Sequence, residues 1–85
     1  MGLTAKHLKH TKQIEALIEF QDEYLNARTK FKPMNSAHEG YAVLLEELDE
    51  MWEEIKNNDP KAMRKEALQV GAMILAFVLE VCDAD

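Results

Sequence analysis

The chain has 85 residues, a formal net charge of −6 and a sequence pI near 5.0. A chain of this length forms a single domain, residues 1–85, whose own core is marginal because only about 60–65% of the unfolded surface is buried. The acidic balance argues against nucleic-acid binding, which needs basic surface. A lone cysteine, Cys82, excludes a disulfide framework and, without a signal-peptide pattern, indicates the cytoplasm.

The first predicted helix begins near Thr11, a residue suited to the N-cap, and extends to about Arg28. Apolar residues recur with helical spacing here and throughout the chain, and no stretch alternates over strand length, so we expect an all-α fold of three helices. Residues 1–10 are basic and polar, and form either an additional turn or a frayed segment. The connection that follows contains Pro33, which disfavours helix in the residue before it.

The second predicted helix begins with a capping box, Ser36 followed three residues later by Glu39. Two asparagines, Asn57 and Asn58, end it. One broad face is apolar: Tyr41, Leu44, Leu45, Leu48, Met51, Trp52 and Ile55. We expect the two aromatic residues of this face to pack in the core rather than to stack on a nucleotide base.

The third predicted helix begins at Asp59-Pro60, an N-cap followed by proline at the first helical position, and extends to about Cys82. Its segment Val70–Leu79 is an unbroken apolar run of ten residues. A membrane span needs about 20 residues, so this run is too short to cross a bilayer. A helix that is apolar on all sides is surrounded by protein. We therefore expect homo-oligomerisation, to a dimer or a tetramer, to complete the helical bundle.

Acidic residues are concentrated on the second helix: Glu46, Glu47, Asp49, Glu50, Glu53 and Glu54. Like charges at i,i+3 and i,i+4 repel by roughly 0.2–0.5 kcal/mol per pair. Three of these residues lie along one border of the apolar face, and Glu66 and Gln69 lie at a similar border of the third helix. Antiparallel packing would bring the two borders together as a site for a hard cation such as Mg²⁺. A solvated acidic face explains the same pattern, and spacing alone favours it.

The stretch "LLEELDEMWEEI" followed by "KEALQVGAMILAF" resembles the all-α nucleoside triphosphate pyrophosphohydrolases of the MazG-like superfamily. That family carries an ExxE pair on one helix and an ExxD pair on the next. Glu47 and Glu50 match the first pair, and Glu66 matches the first residue of the second pair. Gln69 stands where the family has aspartate. The resemblance covers roughly residues 36–82.

The resemblance implies Mg²⁺-dependent cleavage of a ribo- or deoxyribonucleoside triphosphate to the monophosphate and pyrophosphate, with Mn²⁺ as a substitute ion. It implies that Glu47, Glu50 and Glu66 are the catalytic residues and metal ligands. Gln69 would offer a neutral carbonyl oxygen in place of a carboxylate. By geometry, Glu54 is the best additional ligand.

The chain also departs from the family pattern in ways that affect substrate binding. Many family members have a further helix whose Lys, Asn and Arg side chains bind phosphates, and this sequence ends at Asp85. We expect phosphate contacts from segment 28–32, from a second subunit, or from the cations of the third helix: Lys61, Arg64 and Lys65. His38 and Asn35 are further candidate substrate contacts. The same departures favour an alternative, a catalytically degenerate MazG-like module that binds nucleotide or a basic protein partner through its acidic face.

Overall fold

A computed structural model of the chain describes residues 11–84, which form three α-helices: α1 (Thr11–Lys30), α2 (Ala37–Lys56) and α3 (Pro60–Phe77). A π-helical turn, Val78–Cys82, continues α3. Residues 11–84 contain no strand, so the prediction of an all-α chain with three helices is confirmed. The predicted N-terminal turn or frayed segment, residues 1–10, lies outside the described residues.

The predicted caps set where α2 begins and how it turns into α3. The Ser36 hydroxyl accepts a hydrogen bond from the Glu39 amide, 3.1 Å away, and the Glu39 carboxylate accepts one from the Asn35 amide at 3.0 Å. After α2, Asn58 has a φ of 55°, a left-handed conformation that asparagine tolerates and that reverses the chain. The short connection of residues 57–59 therefore makes α2 and α3 antiparallel neighbours.

The core lies around α3, which packs against both α1 and α2. Its buried hydrophobic residues are small or flexible: Ala27, Met34, Ala72, Met73 and Ala76. Gly40 of α2 is also buried, and a Cβ there would lie only 2.5 Å from the Phe77 ring. Glycine at this position therefore lets the backbone of α2 approach the end of α3 closely.

A partly buried ion pair connects the end of α1 to the π-helical turn that continues α3. Arg28 Nε lies 2.9 Å from Glu80 Oε2, and the other carboxylate oxygen of Glu80 accepts a hydrogen bond from the Met34 amide at 2.9 Å. The Tyr24 ring covers the guanidinium, with its centroid 5.4 Å from Arg28 Cζ. These contacts also hold the connection between α1 and α2 against the π-helical turn.

Two apolar surfaces remain open to solvent. The first is a stripe on α2: Tyr41, Leu45, Leu48, Trp52 and Ile55. Tyr41 is 62% exposed and Trp52 is 54% exposed, so the prediction that these rings pack in the core is wrong for the single chain. The reason is that α3 contacts α2 through Gly40 and the neighbouring positions Val43 and Leu44, which leaves the rest of its broad apolar face uncovered.

The second apolar surface is a groove of about 650 Å³ between α1 and α3. Leu17 and Leu25 line it from α1, and Ile74 and Leu75 line it from α3. Within residues 11–84, no helix combines the length and the apolar character that crossing a membrane requires.

Candidate metal centre

Three glutamates from α2 and α3 converge at the border between these helices. One carboxylate oxygen from each of Glu47, Glu50 and Glu66 lies within 4.8 Å of the other two. Glu47 and Glu50 stand at i,i+3 and so share one side of α2. Glu66 faces them because the short connection folds α3 back along α2. The expectation that carboxylates of the two helices meet is confirmed.

The environment of Glu47 disfavours its charged form. The side chain is half-buried, and this burial is the largest cause of its raised pKa. The neighbouring charges of Glu50 and then Glu66 raise the pKa further. Glu47 is therefore a carboxylate whose ionisation is opposed by the fold itself.

Glu66 shows the same perturbation from the α3 side. Burial raises its pKa most, and the charge of Glu50 adds to this effect. Lys65 lowers the pKa of Glu66, and Glu54 raises it. Burial and the acidic neighbours therefore outweigh the effect of Lys65 on this pKa. A cation bound between the carboxylates would relieve the repulsion among them.

The donor set fits a hard divalent cation. Mg²⁺ takes oxygen ligands at about 2.0–2.1 Å, so opposite ligands stand about 4.2 Å apart. Any three ligands of one octahedral ion include adjacent pairs about 2.9 Å apart. The three oxygens, which lie within 4.8 Å of one another, would therefore have to draw together around the ion. Glu50 is exposed, which leaves the site open to water. Glu54 is not part of this cluster, although its charge raises the pKa of Glu66.

Gln69 follows Glu66 by one turn of α3 and makes a contact that the motif does not predict. Its side-chain amide nitrogen donates a hydrogen bond to Glu23 Oε2 on α1, with the two atoms 2.5 Å apart. Sequence reasoning missed Glu23. The sequence gives only a weak indication of this contact. Glu19, Glu23 and Ala27 lie four residues apart along one side of α1, and Ala27 belongs to the core.

A cavity of about 230 Å³ adjoins the glutamate cluster at Glu47. Its lining is partly apolar: Ala27, Phe31, Met34, Val43 and Met73. Its polar lining residues are Gln69, the cations Arg28 and Lys32, and two further acids, Glu39 and Glu46. Arg28 Nη1 is buried and has no hydrogen-bond partner among residues 11–84. The cavity thus offers both apolar and cationic contacts directly beside the carboxylates.

The residues predicted to bind substrate lie elsewhere. Lys61, Arg64 and Lys65 are exposed on the first turns of α3, and none of them lines this cavity. Arg64 donates two hydrogen bonds to Glu19, at 2.8 and 2.7 Å.

The other two candidate substrate contacts are at the start of α2. His38 lines a separate shallow recess together with Ala37 and Tyr41. The backbone amide of Asn35 is bonded to Glu39, and Asn35 is exposed. Within segment 28–32, by contrast, Arg28 and Lys32 do line the cavity.

No protein-family model, no curated protein and no solved structure matches the chain. The resemblance to the MazG-like pyrophosphohydrolases stays a prediction, based on the motif pairs that lie on α2 and α3.

Proposed function

We propose that the chain is a Mg²⁺-dependent nucleoside triphosphate pyrophosphohydrolase. The observation that supports this function is the convergence of Glu47, Glu50 and Glu66 within 4.8 Å. These are the positions that match the family's acid pairs, and they come from two different helices. A solvated acidic face gives no reason for half-buried carboxylates to be held against one another.

The reaction joins a water oxygen to the α-phosphorus and breaks the bond from that phosphorus to the bridging oxygen, which leaves with pyrophosphate. Glu47, Glu50 and Glu66 would hold Mg²⁺, which when bound polarises the phosphate and lowers the pKa of water. The proton of the attacking water passes to a carboxylate.

The cavity beside Glu47 would take the nucleoside end of the substrate. Its volume of about 230 Å³ lies below the roughly 300–1,000 Å³ of sites for drug-sized ligands, so it accepts only part of a nucleotide. The Phe31 ring is 67% exposed at the cavity and is free to stack on a base. The triphosphate would then extend past Glu47 towards the exposed Glu50, with Lys32 available as a counter-charge.

The function is tested by identifying the products formed from a panel of ribo- and deoxyribonucleoside triphosphates by phosphorus NMR. With Mg²⁺ or Mn²⁺ the wild-type chain should release pyrophosphate and a monophosphate, and a chelator should stop the reaction. Glu50→Gln should lower the rate by about 100-fold or more, the scale of losing a main electrostatic contribution. Asp49→Asn, an exposed acid on the same helix outside the cluster, is the matched control and should keep the rate. Release of inorganic phosphate alone, or equal rates in the two variants, would contradict the proposal.

Self-association is part of the proposed working form. The exposed stripe of α2 is spaced 4, 3, 4 and 3 residues apart, from Tyr41 to Ile55, which is the seam pattern of paired helices. The groove between α1 and α3 is a second, separate apolar surface. We propose that other copies of the chain cover both. One two-fold interface makes a dimer, and two different two-fold interfaces make a tetramer with three perpendicular axes.

A second candidate function has its own supporting observation. Gln69 replaces the family's aspartate, and its amide nitrogen is engaged by Glu23, so the centre has three carboxylates. A module that binds nucleotide without cleaving it, or binds a basic protein, would tolerate this loss. Calorimetry with a non-hydrolysable triphosphate and Mg²⁺ separates the cases. Metal-dependent binding without hydrolysis of natural substrates indicates a degenerate nucleotide binder, and the absence of nucleotide affinity favours a protein partner.

A further inference from the structure

The contact between Glu23 and Gln69 links α1 to the candidate metal centre. Gln69 Nε2 and Glu23 Oε2 are 2.5 Å apart, and both side chains are partly buried. Gln69 lies one helical turn after Glu66 on α3 and lines the same cavity as Glu47. It therefore lies one turn from one of the three carboxylates that would hold the cation, and it shares a cavity lining with another.

The partner of Gln69 determines how its amide group is oriented. An ionised carboxylate only accepts hydrogen bonds, so Glu23 must face the amide nitrogen of Gln69 and not its oxygen. The carbonyl oxygen Oε1 takes no part in this contact and is the atom that can serve as a ligand. Without such a partner, the amide could rotate and offer either its nitrogen or its oxygen to its neighbours.

We propose that Glu23 is a positioning residue that holds the carbonyl oxygen of Gln69 as a fourth oxygen ligand for the divalent cation. This inference rests on the proposed function. Carboxylates that hydrogen-bond a metal ligand orient it and raise its basicity. The negative charge of Glu23 would also polarise the amide of Gln69, so α1 supplies part of the charge that the family's aspartate carries directly.

A nearby contact of the same kind provides the control for a merely structural role. Glu19 lies one turn before Glu23 on α1 and also bonds across to α3, where it accepts two hydrogen bonds from Arg64. Removing either acid takes away a polar contact between α1 and α3. Only the loss of Glu23 should change the cation site.

The experiment is a titration of Mn²⁺ followed by electron paramagnetic resonance, which measures free Mn²⁺ and hence the dissociation constant. Glu23→Met, which leaves the amide of Gln69 without its acceptor, should weaken Mn²⁺ binding about tenfold or more. Glu19→Met should bind as the wild type does. The double exchange Glu23→Gln with Gln69→Glu reverses the hydrogen bond and puts a carboxylate at position 69. It should restore the affinity to the wild-type value or above it.

Each result has a distinct meaning. Equal Mn²⁺ affinity in Glu23→Met and the wild type overturns the inference, and so does a double exchange that binds no better than Glu23→Met. If the wild-type chain binds no Mn²⁺ at all, the proposed metal-dependent function itself fails. Urea unfolding of each variant shows whether it is folded under the conditions of the titration. Only folded variants are compared for Mn²⁺ affinity.

Discussion

Glu47→Gln is expected to stabilise the metal-free protein and to abolish its stabilisation by Mg²⁺. Glutamine keeps the shape of the side chain but removes a charge whose formation is opposed by burial, by Glu50 and by Glu66. The same charge is required to bind the cation. The substitution should therefore raise the stability of the metal-free protein and lower its stabilisation by Mg²⁺. A purely structural role of Glu47 does not predict these opposite changes.

The size of the effect follows from the spacing of the carboxylates. At the 4.8 Å limit of these separations, two unit charges repel by about 0.9 kcal/mol in water and by about 3.5 kcal/mol at an effective dielectric constant of 20. Glu50 is exposed, so solvent screening places its contribution near the lower value. We expect Glu47→Gln to raise the free energy of unfolding by about 1 kcal/mol, or the melting temperature by about 4–8 °C for a domain of this size.

The assay is thermal unfolding followed by circular dichroism, with a chelator and with Mg²⁺. At an Mg²⁺ concentration of about 100 times its dissociation constant, the wild-type protein should gain about 2.7 kcal/mol, and Glu47→Gln should gain little. Asp49→Asn removes an exposed acid of the same helix and should respond to Mg²⁺ as the wild type does. A less stable metal-free Glu47→Gln, or equal stabilisation of both proteins by Mg²⁺, would refute the reasoning.

The effect should also depend on pH with a definite sign. Because the pKa of Glu47 is raised in the folded protein, the folded state binds its proton more tightly than the unfolded state. This contribution to stability is complete below the ordinary carboxyl pKa and is lost as the pH rises through the raised value. In chelator, wild type and Glu47→Gln should therefore differ little near pH 4 and diverge as the pH rises to neutral. Urea unfolding across this range measures the difference.

Three further substitutions test the fold and the assembly. Glu80→Ala should lower the free energy of unfolding in urea by about 2–4 kcal/mol, because it leaves the Arg28 guanidinium partly buried without its partner; an unchanged midpoint would show that the ion pair contributes nothing. Gly40→Ala should cost about 1–3 kcal/mol in the same assay, because its Cβ would meet the Phe77 ring at 2.5 Å. Trp52→Glu should reduce the mass measured by light scattering while the helical circular dichroism is kept, and wild-type protein that is already monomeric would contradict the proposed assembly.

Local signals in the sequence predicted the helices well because each depends on residues close in the chain. The capping residues Ser36 and Asp59 begin α2 and α3 where expected, since each side chain accepts a hydrogen bond from an amide three residues later. The meeting of Glu47 with Glu66 was predictable for a related reason. Only three residues connect α2 to α3, so the register of the two helices leaves little freedom.

Contacts made by α1 were not predictable in the same way. The partners of Glu23 and Arg28 are 46 and 52 positions further along the chain, at Gln69 and Glu80. The connection of residues 31–36 has no regular helix, so the sequence does not fix how α1 is rotated against α3. The exposure of Trp52 was missed because an apolar face looks the same in a sequence whether its cover is the same chain or another one.

The most direct test of the central claim is to grow crystals in Mn²⁺ and compute an anomalous difference map at a wavelength where manganese scatters strongly. We expect a peak among the carboxylates of Glu47, Glu50 and Glu66, and its loss in crystals of Glu50→Gln grown in the same way. Ordered side chains at these three positions without a peak between them, at a Mn²⁺ concentration that supports nucleotide hydrolysis, would contradict it.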